Sequence, residues 1–406
     1  MDFQNTMPLP PMAAAPAAPA AARMRAEAPR HGGESLPLQF TGSGSEYFRI
    51  WIVNLLLTIV TLGFYHPFAK VRRLRYFHGN TLVGGHALGF HGDPWKMLRG
   101  YVLMLVFGAV YVGAGQFSAL AGAIAGAAFA LLWPALWQSS LRFRLANTSW
   151  RGLRMRFSGD LAGAYGAMLP LLLPLAVMLL TSAGVGQPGS KPSMLRLTVA
   201  GLSTVALMLL VPWTLARIKR YQHGHYELAG ERTELDARTR SFYGWAVGTL
   251  LVSLVPLALV FAGLFLIAPS NAGRIGGDVM LRNSGLFVLL LLAGYLAMFL
   301  VSQSWGVARL QNLVWSHTRS PRLRFRSRLG TLAMMGMLLK NLVLTVITLG
   351  LYRPFAVVAM TRLRLHAVGI DAAGDIEQWS AAAIARGTPE AAGDAAGDLL
   401  GIDIGL

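Results

Sequence analysis

The sequence predicts an all-α polytopic membrane protein with internal repeats, six to eight transmembrane helices and short cytoplasmic β-hairpins in its basic loops. Three observations predict it. Over 406 residues the chain is 54% hydrophobic and 13% charged, about half the charged fraction of a soluble protein. A hydrophobic phrase is written twice, NLLLTIVTLGFYHPFA from Asn54 and NLVLTVITLGLYRPFA from Asn341, and such self-similarity marks a repeat architecture. The net charge of +18 falls in short loops between apolar stretches, the distribution of cytoplasmic loops rather than of a nucleic-acid binder.

Residues 1–38 are Ala/Pro-rich and lack a continuous apolar stretch, so they read as a disordered tail and not as a cleaved signal peptide. A membrane domain is expected over 39–368. Its apolar segments lie near 47–66, 99–118, 119–139, 162–184, 194–216, 243–268, 284–306 and 331–352, each long enough to cross about 30 Å of hydrocarbon as a helix. Basic loops follow the segments ending near 139, 216 and 306; they include Arg142, Arg144, Arg151, Arg154 and Arg156, and then Arg217, Lys219, Arg220, Arg232, Arg238 and Arg240. Those loops are expected in the cytoplasm. Residues 369–406 are rich in Ala, Gly, Asp and Glu and read as a flexible acidic tail lying against the basic loops.

The loops carry a repeat of their own. Pro67, Arg75, Tyr76, Asn80, Thr81, Gly85, Phe90, Gly92 and Asp93 recur 67 residues later as Pro134, Arg142, Phe143, Asn147, Thr148, Gly152, Phe157, Gly159 and Asp160. A weaker copy runs from Pro212 through Arg220, Tyr221 and Gly230, and its ending without a beginning stands at Phe40 and Gly42. Proline ends or kinks a helix, arginine and an aromatic suit the membrane interface, and the Gly-interrupted alternation that follows suits a small hairpin. The middle units leave room for two crossings, whereas the terminal ones, Phe40 to Pro67 and Phe325 to Pro354, are short. Under the same rule their apolar segments re-enter or break at Thr-Leu-Gly and six helices cross; counting them as full spans gives eight.

Phe40 to Gly44 (FTGSG), Asn54 to Ala69, the basic run Lys70 to Arg75 and the C-terminal copy resemble the YjgN-like family of bacterial inner-membrane proteins, built around a domain of unknown function. The resemblance spans roughly 39–368 and implies a multi-pass protein of the inner membrane. It brings no activity, substrate or site residues.

Chemistry is sparse. The chain has no cysteine, which excludes disulfides and thiolate sites. Core carboxylates (Glu46, Asp93, Asp160, Glu227, Glu231, Glu234, Asp236, Asp278) sit at segment ends or in loops, and the absence of one at mid-membrane weighs against cation-coupled transport. The histidines of two loops, among them His66, His78, His86 and His91, match no metal-site spacing, and no nucleotide loop or nucleophile elbow is present. No enzyme activity, metal or cofactor is expected. Two readings remain. One is a transporter or channel with a pathway between repeats, lined by Asn54, Thr58, Thr61, Asn341, Thr345 and Thr348, residues that serve equally as helix-packing polar groups. The other is a structural or anionic-lipid-binding or partner-binding protein, with Arg75, Tyr76, Arg142, Phe143, Arg220 and Tyr221 meeting headgroups at the cytoplasmic face. Close helix packing is expected through Gly113, Gly115, Gly122 and Gly126.

Overall fold

The computed structural model of the protein describes residues 34–182, 193–267 and 284–386. The first half comprises β1 (Glu34–Phe40), α1 (Gly44–Val60), α2 (His66–Gly79), β2 (Thr81–Val83), β3 (His86–Phe90), α3 (Pro94–Phe117), α4 (Ala119–Ala146), β4 (Thr148–Trp150), β5 (Leu153–Phe157) and α5 (Leu161–Ser182). The second comprises α6 (Met194–His223), β6 (Tyr226–Leu228), β7 (Glu231–Arg232), β8 (Glu234–Leu235), α7 (Thr239–Ile267), α8 (Ser284–Ser316), β9 (Thr318–Arg319), β10 (Leu323–Ser327), α9 (Thr331–Ile347), α10 (Arg353–His366), β11 (Val368–Ala372) and α11 (Ile376–Ala385).

The expected all-α class is corrected: the strands join in one eleven-stranded sheet of order β7-β6-β5-β4-β3-β2-β1-β11-β10-β9-β8. An isolated two-stranded hairpin is barely stable in water, and its edges invite pairing. Here each hairpin pairs with the next. Phe40 lies opposite Thr81, Phe90 opposite Thr148, Phe157 opposite Tyr226, Leu235 opposite Thr318 and Ser327 opposite Val368, all antiparallel. The edge strands β7 and β8 are separated by Thr233 alone, whose amide donates to the Tyr226 carbonyl at 2.8 Å. The two edges are therefore halves of one stretch of chain, and the sheet closes on itself. Counting β7 and β8 once leaves ten strands of the eleven, and an all-antiparallel ring closes only on an even number.

Between each opposed pair the chain makes an excursion of two helices. The pairs α3/α4, α5/α6 and α7/α8 contain the six helices long and apolar enough to cross a membrane; α1/α2 and α9/α10 are short. Every helix from α1 to α10 packs on its neighbour in sequence, and α10 packs back on α1, so the helices also form a closed ring. Each excursion starts and ends at facing residues of adjacent strands and must return to the side it left. The segments near 47–66 and 331–352 therefore do not cross singly, and among the described residues six is the count of candidate spans.

The twin phrase is the device that turns the short pairs. α1 and α9 each stop after 17 residues. Leu62 and Gly63 then take φ of 49° and 94°, Leu349 and Gly350 50° and 93°, a left-handed conformation that costs a side-chain-bearing residue about 1–2 kcal/mol. Pro67 and Pro354 sit in the first turn of the returning helix, where a missing N–H leaves no bond unmade.

The core is divided as the chain is. One cluster (Leu36, Trp150, Ile370, Ala372, Ile376, Trp379, with Leu228 and Leu323 against it) draws on strands from opposite sides of the ring and so fills its inside. Five others sit where a strand meets its helices, around Phe40, Phe90, Phe157, Leu235 and Leu329. Each large apolar side chain buried there contributes about 1.5–3 kcal/mol.

Further expectations are adjusted. The predicted tails reach too far inward, because residues 34–38 belong to β1 and residues 369–385 supply most of β11 and all of α11; the remainder, 1–33 and 387–406, lies outside the described residues. The last unit's ending is Ser327 rather than Phe325, as its pairing with Val368 fixes. Of the four glycines expected to pack, Gly115 and Gly122 meet backbone to backbone, an added Cβ on Gly122 lying 2.9 Å from the Gly115 Cα. Gly126 faces Tyr111, and Gly113 faces open space.

Candidate functional site

A ring closed on both its sheet and helix levels has one place that all its parts share, the axis. At the sheet end that axis is stoppered. α11 follows β11 after a short link and is capped by Asp375, whose carboxylate accepts from the amides of Glu377 (2.8 Å) and Gln378 (3.1 Å). Its apolar face, Ile376, Trp379 and Ala383, is buried, and Ile376 and Trp379 join the ring's central cluster. Trp150 belongs to the same cluster and donates its indole N–H to the Val83 carbonyl at 3.1 Å. The polar tie is slight: Arg151 reaches Glu377 at 3.8 Å, and the glutamate side chain is 78% exposed, a pairing worth well under 1 kcal/mol. Apolar contact, not charge, keeps the stopper in place.

The arginines expected at lipid headgroups each form a joint of the ring. Arg75 Nη2 donates to the Gly92 carbonyl at 3.2 Å, Arg142 Nη2 to Gly159 at 3.4 Å, and Arg220 Nη2 to Ala237 at 2.8 Å, each spanning 17 residues. Asn312 Nδ2 makes the same 17-residue bond to the Leu329 carbonyl at 3.0 Å. Arg362 Nη2 closes the set with Gly42 at 2.8 Å, joining the two ends of the described chain. The ending without a beginning at Phe40 thus finds its beginning at Arg362. Sequence reading missed the stretch from Ser304 through Asn312, His317 and Thr318 to Leu329, because of the marker residues only the threonine is kept, at Thr318, while the backbone bonds persist. Spacing was the signal available: His317 and Thr318 each bond the carbonyl four residues back, as Asn80 and Thr81 do.

The aromatics beside those arginines point at the preceding joint. Tyr76 Oη donates to the Ser43 carbonyl (2.9 Å) and meets Glu46 (3.1 Å), Tyr221 Oη donates to the Asp160 carbonyl (2.6 Å), and Phe143 is buried with Phe90 and Met97. The Tyr76 hydrogen bond, with those of Ser43, holds the Glu46 carboxyl below its ordinary value, while burial pushes the Tyr76 phenol up. Gly42, Gly92 and Gly159 follow from this packing: an added Cβ would lie 2.8, 2.6 and 2.6 Å from the ring of the phenylalanine two residues earlier. Where that residue is Leu235 or Ser327, the glycine is replaced by Ala237 or Leu329.

The candidate pathway residues cluster in the two short helical pairs. Asn54 Nδ2 donates to the Ala69 carbonyl at 3.4 Å and Asn341 Nδ2 to Ala356 at 3.3 Å, tying each outgoing helix to its return. Both Oδ1 atoms are buried without a hydrogen-bond partner. Thr58 donates to the Asn54 carbonyl (2.6 Å), and the Thr345 carbonyl accepts from Gly350 N (2.7 Å). Thr61 and Thr348 donate to Leu57 and Leu344 (both 2.7 Å) and accept from Tyr65 and Tyr352 amides (3.0 and 2.9 Å). These are the bonds that make the turns.

The histidines are dispersed. His78 bonds the Leu74 carbonyl, His91 bonds Ser149 Oγ, and His66 stacks on Tyr101. Among the described residues no three His, Asp or Glu side chains come together as metal ligands would.

Six apolar helices on an annular sheet define a multi-pass membrane protein of mixed α and β structure. The chain belongs to DUF898, a family described as "Bacterial protein of unknown function", whose profile matches residues 35–399. It is similar to the inner membrane protein YjgN of Salmonella typhimurium, with 24% identity over 339 residues, 78% of this chain and 84% of that protein. It is also similar to YjgN of Escherichia coli O157:H7, with 28% identity over 141 residues, 34% of this chain and 35% of that protein. No solved structure matches. The protein is a multi-pass protein of the bacterial inner membrane.

Proposed function

We propose that this is a repeat-built membrane protein of transporter or channel type, whose pathway follows the axis of the ring and is stoppered on the cytoplasmic side by α11. One observation carries the reading: strands and helices both close into rings in sequence order, α10 returning to α1 and β7 running into β8. The five joints at Gly92, Gly159, Ala237, Leu329 and Gly42 support five units arranged about that axis, the fifth shared between the two ends. Internally repeated membrane proteins place their solute sites at the interface of the repeats. The stopper is held mainly by an apolar face, so it is displaceable without breaking the ring.

The alternative, a structural or anionic-lipid-binding protein without transport, loses force at the residues it named. Arg75, Arg142 and Arg220 spend donors on backbone carbonyls, and Phe143 and Tyr221 are buried. No catalysis is assigned. The test is solute flux in proteoliposomes containing the full chain or an Ile376→Gln, Trp379→Gln variant. Efflux of small ions and solutes is expected to rise in the variant, because two polar side chains replace the stopper's apolar contacts. Impermeable vesicles with both proteins, each shown to be folded and inserted, would refute the reading.

A further inference from the structure

The helical ring closes near the sheet, but its members differ in length. α9/α10 and α1/α2 stand side by side between α8 and α3, because α10 packs on α1. Contacts fix the depth at which the first of these short pairs turns back. His66 stacks on Tyr101 of α3 with ring centroids 5.4 Å apart, Phe68 meets Trp95 at 5.1 Å, and an added Cβ on Gly63 would lie 3.4 Å from Tyr101 Oη. Tyr101 is only two turns into α3, just past its last charged residues, Lys96 and Arg99. From there α3 continues to Phe117, about 24 Å at 1.5 Å per residue and so most of a hydrocarbon core of roughly 30 Å. The second short pair also stops early. Met334 shares a buried cluster with Ala308, and Val307 packs against it. From that level α9 runs on about 20 Å to Ile347, whereas α8 runs about 36 Å to Ser284.

Past the turns, the sides of α3 and α8 that the short pairs cover nearer the sheet are bare. Gly108 and Val112 lie about two and three turns beyond Tyr101 on its side of α3, Ala109 and Gly113 about four and five turns beyond Trp95; all four are exposed. Leu296, Ala293 and Leu289 lie about three, four and five turns beyond Val307 on its side of α8 and are exposed too. At this height α3 leans on α4, where Gly115 meets Gly122 and Tyr111 meets Gly126, and α8 leans on α7, where Gly294 meets Val260. In ring order only the four short helices stand between α8 and α3, so beyond their turns the six spans form an arc with a mouth. The floor of that mouth is apolar. Leu62 is 90% exposed and Leu349 94%, with Val60, Phe64, Ile347 and Leu351 exposed beside them. Both leucines hold the left-handed conformation that glycine adopts without strain. A large apolar side chain kept at a strained turn, with no described part of the protein over it, is explained by hydrocarbon around it.

We propose that this mouth is a lateral portal filled by the acyl chains of membrane lipid, which reach the interior of the ring between α3 and α8 over the two short turns. Its walls continue the lipid-facing surface of the spans at hydrocarbon depth. Water is a poor occupant, because Ala109, Val112, Leu289 and Leu296 offer it no polar side chain and apolar spaces stay dry. The portal rests on this geometry. Its use as an entrance rests on the axial pathway proposed above, and it makes an amphiphile of the bilayer the class of molecule admitted.

The test is a spin-label scan of the full chain in lipid nanodiscs, which the absence of native cysteine permits. Gly108→Cys, Ala109→Cys, Val112→Cys and Gly113→Cys on α3, and Leu289→Cys and Leu296→Cys on α8, each carry a nitroxide. Its relaxation is measured with oxygen, which concentrates in hydrocarbon, and with a water-soluble nickel chelate. Gly108 and Gly113 accept the change, since nothing lies within 4 Å of an added Cβ. All six positions are expected to be relaxed by oxygen and not by nickel. On α5, which has α4 and α6 against it, the same scan is expected to alternate: Leu169→Cys and Leu173→Cys reached by oxygen, and Leu172→Cys, at a residue 6% exposed, by neither reagent. That alternation shows that the helices are inserted and packed. Nickel relaxation at the six positions would make the mouth water-filled, and relaxation by neither reagent would mean that protein, a second copy or another part of this chain, covers it; either result overturns the portal. Oxygen access together with impermeable proteoliposomes keeps the portal and refutes axial transport, whereas flux together with nickel access does the reverse.

Discussion

Gly159→Ala probes the joints most directly, and its cost follows from the packing. The new Cβ would stand 2.6 Å from Phe157 Cε1 and 2.7 Å from Tyr221 Oη, well inside contact distance. Phe157 is 2% exposed and cannot swing out. Tyr221 can retreat only by giving up its 2.6 Å hydrogen bond to the Asp160 carbonyl. Overpacking of this kind costs about 1–3 kcal/mol, and the lost hydrogen bond adds about 1. Phe157→Leu alone removes ring volume and is expected to cost about 1–2 kcal/mol. Together the two substitutions reproduce the pair the chain already uses at Leu235 and Ala237, so the double variant is expected to be more stable than the sum of the singles by at least about 1 kcal/mol. The assay is the apparent melting temperature of detergent-solubilised protein, followed by intrinsic tryptophan fluorescence. For a chain of this size each kcal/mol moves the midpoint by about 1–2 °C, so Gly159→Ala should fall by a few degrees and recover part of that loss in the Phe157→Leu background. An equal drop in both backgrounds would mean that Gly159 is not set by Phe157.

Three further outcomes follow from the same geometry. Arg362→Met is expected to destabilise the fold by about 1.5–3 kcal/mol, because it leaves the Gly42 carbonyl without its charged donor and loosens the joint between the chain's ends; an unchanged melting temperature would argue against closure there. Since the chain has no cysteine, single cysteines can be placed at will: Ser35→Cys, Arg154→Cys and Gln378→Cys should react with an impermeant maleimide from one side of the membrane and Phe117→Cys, at the α3/α4 turn, from the other. Labelling of Ser35→Cys and Gln378→Cys from opposite sides would rule out paired excursions. The lowered Glu46 carboxyl contributes stability that is present above its unfolded value of 4.5 and is lost as pH falls through the folded value; melting temperature measured from neutral pH into the acid range should decline there less steeply in Glu46→Gln than in the parent.

Much of this protein is legible without coordinates. Membrane class, the six long apolar helices and the hairpins after Asn80 and Asn147 follow from composition and short-range pattern, because hydrophobicity and turn chemistry act over a few residues. The break in the twin phrase is legible for the same reason, since Thr-Leu-Gly followed by Tyr-x-Pro is a local turn signal. What pattern could not supply is any fact that depends on two distant stretches. Asn312 at the arginine position and Ser327 at the phenylalanine position have no local mark; their roles are defined by a backbone carbonyl, which accepts from an amide as readily as from a guanidinium. The candidate residues show the same divide: Arg75, Arg142 and Arg220 are legible as basic residues beside an aromatic, while the backbone carbonyl that each bonds is placed only by the fold.

Sequence alone determined that this is a multi-pass membrane protein with a phrase repeated near its ends, because burial in hydrocarbon constrains every residue of a crossing helix separately. Tertiary structure alone decided that the strands are one ring instead of scattered hairpins, that the first and last segments turn back, and that Arg362 completes what begins at Gly42. Closure is a property of the whole chain: whether an edge strand finds a partner depends on where the other edge arrives, and no window of sequence contains both.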